Sequence, residues 1–156
     1  MGGQGSHPIA AEAWVPAAQE DVYALLADLR EHWRLAGRWV RALELDRDGG
    51  VVRLRGPLGL GRTAHTRVVL TEAPTLLAGK ATLGATRANV SWTLRPDGDG
   101  TRVTLRADVL EATRGDRALL ALGGRQWLRA RFRTTLARLA AQAVQTSPAP
   151  ARLPVG

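Results

Sequence analysis

Apolar and polar residues alternate along much of the chain, which is the pattern of half-buried β-strands. Residues 9–15 predict a first strand, with Ile9 and Val15 on one face and Glu12 on the other. Six further stretches follow, separated by short turns rich in glycine, proline and aspartate. The predicted strands occupy residues 39–46, 51–55, 62–72, 76–83, 86–95 and 101–110. Short turns join antiparallel neighbours, so these six strands are expected to form a meander.

Two segments have helical spacing instead of strict alternation. The first follows Pro16, carries apolar residues on one face from Val22 to Trp33, and is predicted to end at Gly37. The second begins at Thr113, its predicted N-cap, and runs to about residue 143. Two adjacent glycines at 123–124 are expected to kink or divide it. The resulting order, β-α-β6-α, predicts an α+β fold in which a seven-stranded antiparallel sheet closes against helices.

Length and composition predict a single globular domain. The chain has 156 residues, of which 45% are hydrophobic and 23% charged. We place the domain at residues 8–146, between a flexible N-terminus at 1–7 and a flexible, proline-rich tail at 147–156. The sequence contains neither a signal-peptide pattern nor the ~20 consecutive apolar residues that span a bilayer. A cytoplasmic location is therefore expected.

The residue types present exclude several chemistries. Cysteine is absent, which rules out disulfides, thiolate metal sites and cysteine nucleophiles. His7, His32 and His65 form no metal-binding motif, and neither a metal nor another cofactor is expected. Of the three, His65 is the best general-base candidate, because the pKa of histidine lies near neutrality. Its strand neighbours nevertheless predict that it faces outward beside Arg67.

Four passages occur in an order that is typical of one protein superfamily. Residues 10–29 read AAEAWVPAAQEDVYALLADL, and residues 67–75 read RVVLTEAPT. Residues 90–107 read VSWTLRPDGDGTRVTLRA, which is similar to a W-x-L-x-P-x-G-D-G-T-R-V-T-L hairpin. Together with the helical segment at 122–139, they resemble the START-like (SRPBCC) superfamily, and in particular its polyketide cyclase/dehydrase and lipid transport-like branch. The resemblance covers about residues 8 to 143.

The resemblance implies the helix-grip fold, in which a curved sheet wraps around a long C-terminal helix and a hydrophobic cavity lies between them. Members of the superfamily bind lipids, sterols, quinones or polyketides, and some are cyclases or other enzymes. The superfamily has no universal catalytic motif, so the resemblance implies a fold and a ligand class more than a reaction. Small residues at inward-facing positions also favour unfilled volume. They are Gly79, Ala81, Ala88, Ala107 and Gly124.

Alternation along the strands sorts the candidate ligand-binding residues. The apolar set is expected to face the C-terminal helix, as on an antiparallel sheet with one buried face. The candidates are Leu77, Leu83, Val90, Trp92, Leu94, Val103, Leu105, Trp127, Leu128 and Phe132. Thr66 and Thr86 are the candidate polar contributors. An ordinary packed core without a ligand fits the same pattern.

Three functions are compatible with these observations. The first is binding of a hydrophobic small molecule, and the second is a polyketide or aromatic cyclase or dehydrase that uses the same cavity. The third is contact with nucleic acid or an anionic membrane, because 22 basic and 14 acidic side chains give a net charge of +8. The outer face of the predicted sheet carries Arg53, Arg55, Arg87, Arg95, Arg102 and Arg106. The sequence leaves the oligomeric state open.

Overall fold

Seven strands form one antiparallel sheet in the computed structural model, which describes residues 8–56 and 61–146. They are β1 (Ile9–Val15), β2 (Val40–Leu45), β3 (Gly49–Arg55), β4 (Gly61–Glu72), β5 (Leu76–Leu83), β6 (Thr86–Asp97) and β7 (Gly100–Glu111). Their spatial order is β1-β7-β6-β5-β4-β3-β2, which confirms the predicted meander with the first strand added beside the last. The predicted flexible ends, 1–7 and 147–156, lie outside the described residues.

The first helical segment is two helices, whereas the sequence pattern predicted one. They are α1 (Gln19–Ala27) and α2 (Leu29–Ala36), and Asp28 between them has an extended backbone. The Asp28 carboxylate accepts a hydrogen bond of 3.1 Å from the backbone N–H of Arg30, so it caps the second helix. As predicted, the segment ends at Gly37, which adopts a φ of 81°.

The C-terminal segment divides at the two glycines, as expected. Helix α3 (Arg114–Leu119) begins at Thr113, whose hydroxyl accepts a 3.1 Å hydrogen bond from the Asp116 N–H. A π-type turn at Leu120–Gly124 follows, in which Gly123 has a φ of 116°. Glycine adopts this backbone conformation at little cost, so Gly123 allows the chain to turn here before α4 (Arg125–Thr146) begins. None of the described helices combines the length and apolar character that crossing a membrane requires.

The buried apolar side chains form two clusters instead of one continuous core. The larger cluster joins α1 and α4 to β1, β6 and β7, with Ile9, Leu26 and Leu139 fully buried in it. The smaller one joins α2 to β2, β3 and β4 around Val52 and Ala64. Helix α4 packs mainly on β1 and α2, at one side of the inner face of the sheet.

Candidate ligand-binding cavity

A cavity of about 330 Å³ lies on the inner face of the sheet and is lined by members of both apolar clusters. This volume is in the range of small-molecule sites, roughly 300–1,000 Å³. The small inward residues named above all line it. At Gly79 a Cβ atom would lie 2.7 Å from the Arg67 carbonyl oxygen, so the close approach of β4 and β5 requires glycine. The cavity exists because small side chains leave the space between sheet and helices unfilled.

Most of the side chains that the sequence assigned to the site do line the cavity. They are Leu77, Leu83, Val90, Trp92, Leu105, Trp127, Leu128 and Phe132, and the two threonines, Thr66 and Thr86, line it as well. Leu94 and Val103 do not line it, although both are fully buried. They lie on the predicted face but near the β6–β7 turn, where Gln19 of α1 donates a 3.0 Å hydrogen bond to the Leu94 carbonyl. Helix α1 covers that end of the sheet and closes it.

His65 lies on the opposite face of the sheet from the cavity. Its side chain is exposed, as predicted, and it borders a shallow depression with Glu44, Asp46 and Lys80. A ligand held between the sheet and α4 is out of its reach. The general-base role considered for His65 therefore does not fit the cavity.

His32 is the histidine that lines the cavity. Its Nδ1 lies 3.1 Å from the Leu26 carbonyl oxygen, which only accepts hydrogen bonds, so Nδ1 carries the proton. The rings of Trp33 and Trp92 meet the imidazole edge-on, at centroid distances of 4.9 and 5.4 Å. Burial lowers the pKa of His32, and the hydrogen bond to Leu26 opposes that shift only in part. The imidazole is consequently neutral at neutral pH.

A second polar group joins α3 to the sheet. Asp116 accepts hydrogen bonds from the Arg62 guanidinium on β4 and from the Thr86 hydroxyl on β6, and all three residues line the cavity. The Thr86 hydroxyl in turn accepts a 3.2 Å hydrogen bond from the Thr113 N–H. Burial raises the pKa of the Asp116 carboxyl, but the hydrogen bonds from Thr86 and Arg62 and the charge of Arg62 together hold it below its ordinary value. This cluster holds α3 against the sheet at the cavity.

Replacing Asp116 with asparagine is expected to lower the free energy of unfolding by about 1 to 3 kcal/mol at neutral pH, because a partly buried charged hydrogen-bond acceptor is lost. The pKa of the Asp116 carboxyl is lower in the folded protein than in the unfolded chain. The carboxylate therefore stabilises the fold above the unfolded-state pKa, about 3.9, and this contribution disappears as the pH falls through the folded-state value. Urea unfolding of both proteins across that range measures the difference.

The matched control for this prediction is Asp108→Asn. Asp108 pairs with Arg106 on the exposed face of β7, at 2.9 Å. Ion pairs at the surface contribute about 0–1 kcal/mol. Equal stability losses in the two variants, or a loss for Asp116→Asn that persists in strong acid, would contradict the role given to this cluster.

Two indole N–H groups in the cavity wall have no hydrogen-bond partner among the described residues. They are Nε1 of Trp33 and Nε1 of Trp39, and both atoms are buried. The Trp39 ring meets Trp127 edge-on at 5.5 Å, and the Arg131 guanidinium lies 5.4 Å from the centre of the Trp127 ring. Buried donors without a partner are uncommon and costly in native proteins.

The outer face of the sheet is less basic than its arginines suggest. Arg87 pairs with Glu111, Arg106 with Asp108, and Arg102 with Asp97. These pairs neutralise half of the six arginines named above, which reduces the attraction of this face for phosphates. Contact with an anionic membrane or nucleic acid stays a prediction. Within residues 8–56 and 61–146, no group of three or more histidine, aspartate or glutamate side chains is placed to hold a metal ion.

An antiparallel sheet that holds a long C-terminal helix across an apolar cavity defines a helix-grip protein of the START-like (SRPBCC) class. Residues 7–144 match the family model described as polyketide cyclase / dehydrase and lipid transport, and the chain belongs to that family. Comparison with curated proteins gives no match.

Several solved structures share the fold. Protein Ms6760 from Mycobacterium smegmatis is 14% identical with a TM-score of 0.69, over 89% of this chain and 92% of the other. TTHA0849 from Thermus thermophilus is 18% identical with a TM-score of 0.68, over 91% and 100%. The Zhui aromatase/cyclase from Streptomyces sp. R1128 is 22% identical with a TM-score of 0.67, over 92% and 96%.

Proposed function

We propose that the protein binds a hydrophobic small molecule, of lipid-, quinone- or polyketide-like character, in the cavity between the sheet and α4. The observation that carries the proposal is the cavity itself, about 330 Å³ with predominantly apolar walls, in the middle of a small domain. Empty space of this kind forfeits packing contacts, so a protein that retains it without a ligand is less stable than one that fills it. Membership of the family, whose description includes lipid transport, supports the same function.

The experiment is native mass spectrometry of the purified protein, followed by extraction and identification of any bound molecule. We expect a one-to-one adduct whose extracted mass belongs to a hydrophobic compound. A protein that carries no adduct and that binds neither 2-naphthol nor 2-methylnaphthalene in calorimetry would contradict the proposal. These two compounds serve as probes because each is a flat hydrophobic molecule that is small for a site of this volume.

A second candidate function is a cyclase or dehydrase reaction in the same cavity. It is favoured by His32, a neutral imidazole at the cavity wall that is able to take up a proton. His65, by contrast, is on the wrong face of the sheet. The two functions are distinguished by incubating the extracted compound with the protein and following its mass. Loss of water, or conversion to an isomer of the same mass with a different chromatographic retention time, supports the enzyme, and a compound unchanged in both supports binding alone.

A further inference from the structure

The cavity wall carries one hydrogen-bond acceptor, Nε2 of His32, that no described residue uses. We infer that the cavity selects an uncharged hydrophobic ligand bearing a hydroxyl group, and that Nε2 of His32 accepts the hydrogen bond from that hydroxyl. This inference rests on the proposed function, since it specifies the ligand class of the same cavity. It assigns to His32 a role in ligand selection.

The acceptor is defined by the geometry of His32. Nδ1 donates to the Leu26 carbonyl, so the lone pair of the neutral ring is on Nε2. Nε2 has no hydrogen-bond partner among the described residues, and the ring lines the cavity. The contacts with Trp33 and Trp92 restrict the orientation of the ring. A ligand group that donates a hydrogen bond at this position therefore meets a pre-oriented acceptor.

The free acceptor on His32 is complementary to a ligand group that donates a hydrogen bond. The unpartnered Nε1–H groups of Trp33 and Trp39 have no accessible surface, so a ligand in the cavity does not reach them, and the hydrogen bond to His32 alone selects the ligand group. A hydroxyl donates one hydrogen bond and accepts others through the same oxygen. It is thus able to satisfy Nε2 of His32 without carrying a charge. A ketone or ether only accepts, and a hydrocarbon does neither, so each leaves one or more buried polar groups unpaired.

The charges around the cavity indicate that the ligand is uncharged. The guanidinium of Arg62 forms an ion pair with the Asp116 carboxylate, so the two side chains together are nearly neutral. Arg67 and Lys80 border the cavity, but their side chains are exposed and alternate onto the outer face of the sheet. The neutral imidazole of His32 offers no positive charge. Arg131 lies 5.4 Å from the centre of the Trp127 ring but is not among the lining residues, so a carboxylate would enter this apolar space without a counter-ion in the cavity wall, which is unfavourable.

The test compares three probes of one ring system in isothermal titration calorimetry at neutral pH. These are 2-naphthol, 2-methylnaphthalene and 2-naphthoate, which differ only in a hydroxyl, a methyl or a carboxylate group. We expect 2-naphthol to bind about fivefold to tenfold more tightly than 2-methylnaphthalene, the value of one well-placed hydrogen bond. We expect 2-naphthoate to bind more weakly than both.

The variant His32→Phe keeps an aromatic ring and removes the acceptor. In this variant the affinity for 2-methylnaphthalene is expected to stay unchanged. The affinity for 2-naphthol is expected to fall to within about twofold of it. The matched control is His65→Phe on the outer face, which is expected to keep the preference of the parent. The ratio of the two affinities reports the hydrogen bond, because a purely structural effect of the substitution would change both affinities together.

The outcomes separate the inference from the function on which it rests. Equal affinities for 2-naphthol and 2-methylnaphthalene in the parent protein, or tighter binding of 2-naphthoate, overturn the inference and leave ligand binding in place. A preference that survives in His32→Phe also overturns it. Failure of all three probes overturns the inference, and together with the absence of a bound compound in native mass spectrometry it overturns the proposed function as well. Should His32→Phe not fold, 2-methoxynaphthalene serves as a further probe of the parent protein, because it cannot donate a hydrogen bond; an affinity equal to that of 2-naphthol counts against the inference.

Discussion

Replacing Ala88 with phenylalanine is expected to lower the affinity for a cavity ligand about a hundredfold while the protein stays folded. Ala88 on β6 pairs with Ala81 on β5, and both side chains line the cavity. The phenylalanine ring extends into the 330 Å³ space and occupies the volume that a ligand needs. Overpacking normally costs about 1–3 kcal/mol, and here the cavity receives the added ring, so we expect the lower end of that range.

The matched control for Ala88→Phe is Asn89→Phe, one residue further along the same strand. Asn89 is exposed on the outer face, so this variant adds the same side chain to β6 without touching the cavity. Calorimetry with 2-naphthol measures the affinity, and thermal unfolding establishes that each variant is folded. Retained affinity in folded Ala88→Phe would show that the ligand binds elsewhere.

The variant Trp92→Ala is expected to lose about 3–5 kcal/mol of stability, a large part of the roughly 5–15 kcal/mol typical of a domain. Trp92 is 4% exposed and packs in the larger apolar cluster, while its ring also contacts His32 and lines the cavity. Its removal deletes buried apolar surface, merges new space with the cavity and takes away one support of the imidazole. Urea unfolding measures the stability loss, and calorimetry at low temperature measures the change in affinity for 2-naphthol.

The control for Trp92→Ala is Leu94→Ala, on the same strand and the same face. Leu94 is 1% exposed but does not line the cavity. This variant is expected to lose about 2–5 kcal/mol of stability with little change in affinity, because the new space forms away from the ligand. A similar loss of affinity in both variants would mean that binding responds to global stability and not to the cavity wall.

The strands were predictable because their signal is local. Alternation alone placed β1 at Ile9–Val15 and β5 at Leu76–Leu83, the bounds that the structure has. The two glycines at 123–124 predicted the division of the C-terminal segment, since glycine tolerates the backbone conformation required there. The break at Asp28 was missed, because the apolar spacing continues across it and its capping role depends on the backbone of Arg30.

The candidate site was predictable only in part. Alternation predicts which face of a strand is buried, but it does not predict which helix packs against each part of that face. For this reason Leu105 lines the cavity while Val103, on the same face of β7, is enclosed in the core near α1. The polar cluster of Arg62, Thr86 and Asp116 joins three segments far apart in the chain, and no local pattern relates them.

The sequence by itself therefore determined the strands, their order and the apolar inner face, because these depend on neighbours two to four residues away. The tertiary structure decided where the inner face stays unfilled and which polar groups reach it. His32 shows the difference most clearly. In the sequence it is a histidine near a helix end. In the structure, the turn at Asp28 and the Leu26 carbonyl position its ring beside Trp92, on a strand sixty residues away, and so make it part of the cavity wall.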